Sequence, residues 1–192
     1  MDGENNVFPF VNLGLPSGTL WAACNVGATS PEQAGLYFAW GETTGYTAEQ
    51  VTSGVRAFNS ASYTASAIST DLTLEQDAAR ANLGGNWRMP TEAEFQELIE
   101  NCVICWKKNY NGTGVAGRVF KSKVNGNTVF FPAVGYCGNS SVYGGGSFGF
   151  YWSASWNFSS LAYELNFISG GQKLTFTYGR YCGYSVRGVC KR

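Results

Sequence analysis

The stretch YWSASWNFSSLAYELNFISGGQKLTFTYGRYCGYSVRGVC, Tyr151 to Cys190, decides how the chain reads. Apolar and polar residues alternate through LAYELNF, SGGQ forms a turn, KLTFTY alternates again, and YSVRGVC closes as a last strand. This pattern predicts a small antiparallel meander. Within Leu161 to Ile168, the period of two puts Tyr163, Leu165 and Phe167 on one face and Ala162, Glu164, Asn166 and Ile168 on the other. The first set is expected in the core, leaving the second to face outward.

Upstream, RVFKSKV and NTVFFPAVGY flank Asn125-Gly126, a strong hairpin turn, and Gly138 to Gly149 reads as a glycine- and serine-rich loop. VNLGLPSGTLWAACNVGA, Val11 to Ala28, predicts an opening hairpin around Pro16-Ser17-Gly18. GLYFAWGE is a short aromatic strand, and Thr43 to Ala67 reads as an irregular surface excursion. Helical signals occur twice. DLTLEQDAARANLGG predicts a short helix from Leu74, capped by Asp71 or Thr73 and stopped by Gly84-Gly85. In TEAEFQELIENC, Thr91 and Glu94 make a capping box, and Phe95, Leu98, Ile99 and Cys102 fall on one helical face. Trp87, in NWRMP, and Trp152 are expected as core anchors.

At 192 residues with 44% hydrophobic side chains, the sequence fits one domain over residues 1–192. Thirteen basic residues balance thirteen acidic ones, which argues against capture of nucleic acid or of an anionic membrane. No apolar run is long enough to span a bilayer, and Met1 to Phe10 lacks the zones of a signal peptide. Histidine is absent, which removes Ser-His-Asp and Cys-His catalysis and His-ligated zinc. Cys102-Val103-Ile104-Cys105 has the spacing of half a zinc site or of a redox dithiol. It lacks a second CxxC and a βαβ context, so structural cysteines are expected. Six cysteines permit disulfides without establishing them. The glycine clusters lack a P-loop lysine and read as loops.

Taken in order, VNLGLPSGTLWAACNVGA, GLYFAWGE, NWRMPTEAEFQELIENC, VFFPAVGY, YWSAS and GYSVRGVC resemble landmarks of gut-bacterial secreted or surface proteins with a C-type-lectin-like fold. That family is related in fold to the formylglycine-generating enzyme. The resemblance implies an α+β domain, two helices around a small antiparallel sheet with long loops, located outside the cell or on its surface. Some members are variable proteins of diversity-generating retroelements, in which adenine-directed mutation of AAC codons varies a ligand-binding region. Here that region would be residues 150–190, rich in the Tyr, Phe, Ser, Asn and Gly that such codons yield. Trp156, Glu164, Gln172 and Lys173 lie outside that codon set.

The resemblance and the strand alternation together nominate Trp156, Asn157, Phe158, Glu164, Asn166, Ile168, Phe176, Tyr178, Tyr181 and Tyr184 as ligand contacts. Tyr and Phe would supply rigid contact area, and the small polar residues adaptable hydrogen bonds. The expected partner is a protein or glycan ligand on another cell or molecule. No catalytic residue, cofactor or metal is expected, nor direct membrane insertion. The EPN, QPD and WND triplets of calcium-dependent sugar binding are absent. The alternatives are a structural domain of a larger surface assembly and an oxidase like the formylglycine-generating enzyme. The oxidase needs a closely spaced reactive cysteine pair, whereas Cys182 and Cys190 stand eight residues apart.

Overall fold

The computed structural model describes residues 8–191. Most of the Met1–Phe10 stretch read for an export signal therefore lies outside the described residues. The opening hairpin forms as its turn residues dictate: β1 (Phe10–Asn12) pairs antiparallel with β2 (Leu20–Ala22). Next, β3 (Tyr37–Phe38) is only two residues long. The excursion after it is not wholly irregular. It contains α1 (Ala48–Thr52), whose N-terminus is held by a capping box between Thr47 and Gln50.

The helix predicted from Leu74 divides in two. A 3₁₀ turn over Leu74–Gln76 ends where the Asp77 side chain accepts the Arg80 amide and starts α2 (Ala78–Leu83), which stops at Gly84. The Thr91–Glu94 capping box opens α3 (Glu92–Asn101) as predicted. Cys102 is not its last turn but the first residue of β4 (Cys102–Lys107). The β-branched and aromatic run that follows favours extended chain over another helical turn.

The remaining strands are β5 (Gly117–Ser122), β6 (Thr128–Pro132), β7 (Tyr136–Gly138), β8 (Ser141–Tyr143), β9 (Gly149–Trp156), β10 (Ala162–Ile168), β11 (Gly171–Thr175), β12 (Tyr184–Ser185) and β13 (Val189–Cys190). They form four sheets: β1-β2-β13, β11-β10-β9-β12-β3, β4-β5-β6 and β7-β8. The α+β, C-type-lectin-like expectation of two helices around one small sheet is thereby overturned. Among the described residues the chain is mostly β, 33% strand against 15% helix, with four separate sheets and three α-helices. Only α3 exceeds two turns, because caps and glycines end the others early.

The C-terminal meander holds for β9, β10 and β11. After it, the chain leaves the meander pattern. β12 inserts between β9 and β3, parallel to the first and antiparallel to the second, and β13 joins β2 in another sheet. A core packs on each face of the five-stranded sheet, while its β11 edge stays partly open. Leu165 and Phe167 pack with Trp21, Phe95 and Tyr151 on one side, while Phe150, Trp152 and Ala162 pack with Trp40 and Tyr184 on the other. Burial of a side chain the size of Leu165 or Phe167 contributes about 1.5–3 kcal/mol.

Between β12 and β13 lies Arg187, fully buried. Nε donates to Asn25 Oδ1, Nη1 to the carbonyls of Ala22 and Ala23, and Nη2 to Asn25 Oδ1 and the Phe130 carbonyl. Every one of its donors thus meets an oxygen, and the guanidinium lies 4.6 Å over the Phe131 ring. This side chain ties three segments of chain together without a carboxylate.

Candidate binding face

The register of the meander sets the outer face of the sheet. Asn166 stands opposite Phe150 on one side and Lys173 on the other, and Glu164 stands opposite Trp152 and Thr175. Alternation then puts Phe150, Asn166, Ile168 and Lys173 on one surface. Over part of that surface the segment from Phe176 to Gly183 returns. Together they enclose a groove of about 500 Å³ lined by Phe148, Phe150, Asn166, Ile168, Lys173 and Tyr178, among others. Phe148, Ile168 and Tyr178 expose large apolar side chains to solvent. Behind Tyr178, Tyr136 stacks on it at 5.0 Å and on Tyr143 at 5.4 Å, which gives the groove wall a rigid aromatic backing.

The nominated residues do not form one cluster. Asn166, Ile168 and Tyr178 line the groove, while Trp156 and Tyr181 line a second hollow of about 480 Å³ at the other end of β9. Phe158 and Phe176 are exposed and meet edge to face at 6.2 Å, with Tyr163 against Phe176 at 5.9 Å. Asn157 is half-buried, and its Nδ2 has no hydrogen-bond partner.

Glu164 and Tyr184 are instead interior, each 0% exposed. Alternation correctly put Glu164 on the face opposite Leu165, but the returning segment covers that face. Tyr184 stacks on the Trp152 indole at 4.0 Å, and the indole Nε1 donates to the Phe38 carbonyl. Burial pushes the Glu164 carboxyl up to about 7. Thr177, Tyr184 and Asn166 approach it and pull the other way, yet no group stands in hydrogen-bonding geometry with either oxygen. The same burial, with the Glu164 charge beside it, raises the Tyr184 phenol far above its ordinary value.

Several groove residues carried no signal in the alternation of Leu161 to Ile168. Phe148 comes from the loop before β9, and Tyr143, which stacks on Tyr136 behind the groove, belongs to the unpredicted strand β8. Arg180 and Tyr63 line the second hollow; Arg180 could have been singled out as the only charge between Lys173 and Arg187.

The CxxC segment is settled by its place in β4. Residues three apart in a strand point to opposite faces about 10 Å apart, too far for a dithiol or a shared metal. Accordingly Cys102 is buried and Cys105 is exposed. Among the described residues no three Cys, Asp or Glu side chains gather as a metal site, and no helix is long and apolar enough to cross a membrane. Comparison with family models, with curated proteins and with solved structures finds no match to this chain.

Proposed function

We propose that the chain is a non-catalytic ligand-binding module that presents its C-terminal aromatic face to a protein or cell-surface ligand. It would be a variable protein of the kind that retroelements diversify. One observation carries the reading: Phe148, Ile168 and Tyr178 stay exposed around a formed groove while larger aromatics fill two cores beneath it. A chain that can bury Trp21, Trp40, Trp87 and Trp152 completely has no need of these rings for its core. Exposed aromatics on a rigid sheet give contact area at small entropic cost.

The oxidase reading has less support. Burial, and then the Glu164 charge, push the Cys182 thiol up to about 12, away from the low pKa of a reactive cysteine. Cys190 lies in β13, paired to β2 in a different sheet.

The test is an array of cell-surface glycans and proteins probed with the native chain, Phe148→Ala and Tyr178→Ala. Specific binding lost in both variants, at unchanged melting temperature, is the expected result. Binding that survives both substitutions would remove the groove from the interaction. Diversification itself predicts a near-copy of the codons for residues 150–190, differing only at adenines, beside a reverse transcriptase gene.

A further inference from the structure

The second hollow holds a guanidinium whose donors are mostly unused. Arg180 is 3% exposed and lines this space with Tyr63, Ser66, Ser69, Trp156 and Tyr181. Its Nη1 donates to the Ile68 carbonyl at 2.6 Å and its Nη2 to the Ser66 carbonyl at 3.0 Å. A guanidinium carries about five N–H donors, so more than half of them meet no protein acceptor; Nε is buried without one.

Arg187 supplies the internal contrast. It too lacks a carboxylate, but all its donors end on oxygens and it lines none of the principal hollows. Arg187 is therefore fully satisfied by the protein, and Arg180 is not. The ion pairs among the described residues are Arg56 with Glu42 and Arg88 with Glu94, leaving Arg180 without a counter-ion. The guanidinium lies 5.1 Å over the Trp40 ring and 6.0 Å over that of Tyr63, which stabilises the cation without neutralising it, and a cation held away from water gains further when an anion joins it.

The other orphan in the hollow has the same polarity. Trp156 Nε1 is buried and has no acceptor. Asp71 does not neutralise the site: its Oδ1 accepts the Trp156 backbone amide at 2.8 Å, and it is not a lining residue. The N–H groups that Nη1 and Nη2 of Arg180 keep after bonding the Ile68 and Ser66 carbonyls thus ask for a ligand that brings acceptors and negative charge. Three aromatic rings and the serine hydroxyls ask for more than a bare ion, because rings offer a stacking face and hydroxyls exchange hydrogen bonds with other hydroxyls. The volume, about 480 Å³, lies within the usual range for small-molecule pockets.

We infer that this hollow is a binding site for a carboxylated sugar. The carboxylate faces Arg180, the pyranose ring lies against Trp156 or Tyr181, and ring hydroxyls meet Ser66 and Ser69. The site is distinct from the groove, since Phe150 and Trp156 stand toward opposite ends of β9, about 20 Å apart. It stands whether or not the groove binds a protein.

Calorimetric titration with glucuronate, N-acetylneuraminate, glucose and inorganic phosphate tests it. At least one sugar acid should bind about tenfold or more tightly than glucose, as a charge-assisted hydrogen bond would provide. Tyr181→Ala, at an exposed ring, should weaken that binding without moving the melting temperature, and Arg180→Lys should shrink the preference for the acid over glucose. Tyr178→Ala, in the groove, should leave it unchanged, which separates this site from the other. Failure of both sugar acids to bind, equal binding of glucose, or phosphate binding as tight as the acids would each overturn the assignment.

Discussion

Replacing Glu164 by glutamine removes a carboxyl whose ionisation the fold resists near neutral pH. The side chain is fully buried, both oxygens lack hydrogen-bond partners, and burial holds its pKa at about 7 against an ordinary 4.5. Below about 4.5 the group is neutral in the folded and the unfolded chain, and it imposes no penalty. Between 4.5 and 7 the unfolded chain has released the proton that the folded chain keeps, so stability falls as pH rises. Above 7 the penalty is complete. At about 1.4 kcal/mol per pH unit it reaches about 3 kcal/mol, or about 6–12 °C in melting temperature for a chain of this size.

No histidine exists to titrate in that window, and Asp77, also raised by burial, is common to both proteins and cancels in the difference. Calorimetry at pH 5 and pH 8 should therefore show the native chain losing several degrees more than Glu164→Gln, with the variant the more stable at pH 8. Parallel pH profiles for the two proteins would refute the argument from burial.

Trp152→Ala should cost about 3–5 kcal/mol, because it empties a core and abandons the Phe38 carbonyl. Phe158→Ala and Phe176→Ala, at exposed rings, should each cost less than about 1 kcal/mol in denaturant titrations. Equal costs would return those rings to the core. Arg187→Lys keeps the charge but loses the fork, and should destabilise by on the order of 2–4 kcal/mol; a neutral result would show that the five contacts contribute little. Maleimide labelling followed by mass spectrometry should modify exposed Cys105 first. Cys137 and Cys182, both pushed up to about 12 mainly by burial, should react only as the chain opens, and prompt labelling of either would contradict their burial.

What the sequence reveals here is what depends on near neighbours. The Thr91–Glu94 capping box lies within one turn, and the Asn125-Gly126 turn joins two adjacent strands, so both are legible and both form. The Thr47–Gln50 box has the same spacing, but the polar residues around it hide the short helix it starts, and Thr43 to Ala67 reads as irregular. The return of Phe176 to Tyr184 over β10 is different in kind. Nothing local to Glu164 says that a segment twenty residues later will cover it, so alternation gave the right face and the wrong exposure. The split of YSVRGVC between two sheets depends on pairing with β3 and β2, well over a hundred residues earlier. Such long-range pairing completes two of the four sheets, β1-β2-β13 and β11-β10-β9-β12-β3, whereas β4-β5-β6 and β7-β8 join only strands that follow one another in sequence.

The central claim is that the face around the groove is displayed for binding and is not required for folding. Randomising Asn166, Ile168, Phe176 and Tyr178 in a display library tests it most directly, with a control library that randomises Trp152, Leu165 and Tyr184. The account predicts that most members of the first library stay folded, with melting temperatures within about 5 °C of the native chain, and that selection against unrelated proteins returns binders. A face library that collapses as the core library does, or that folds and yields no binder, would contradict it.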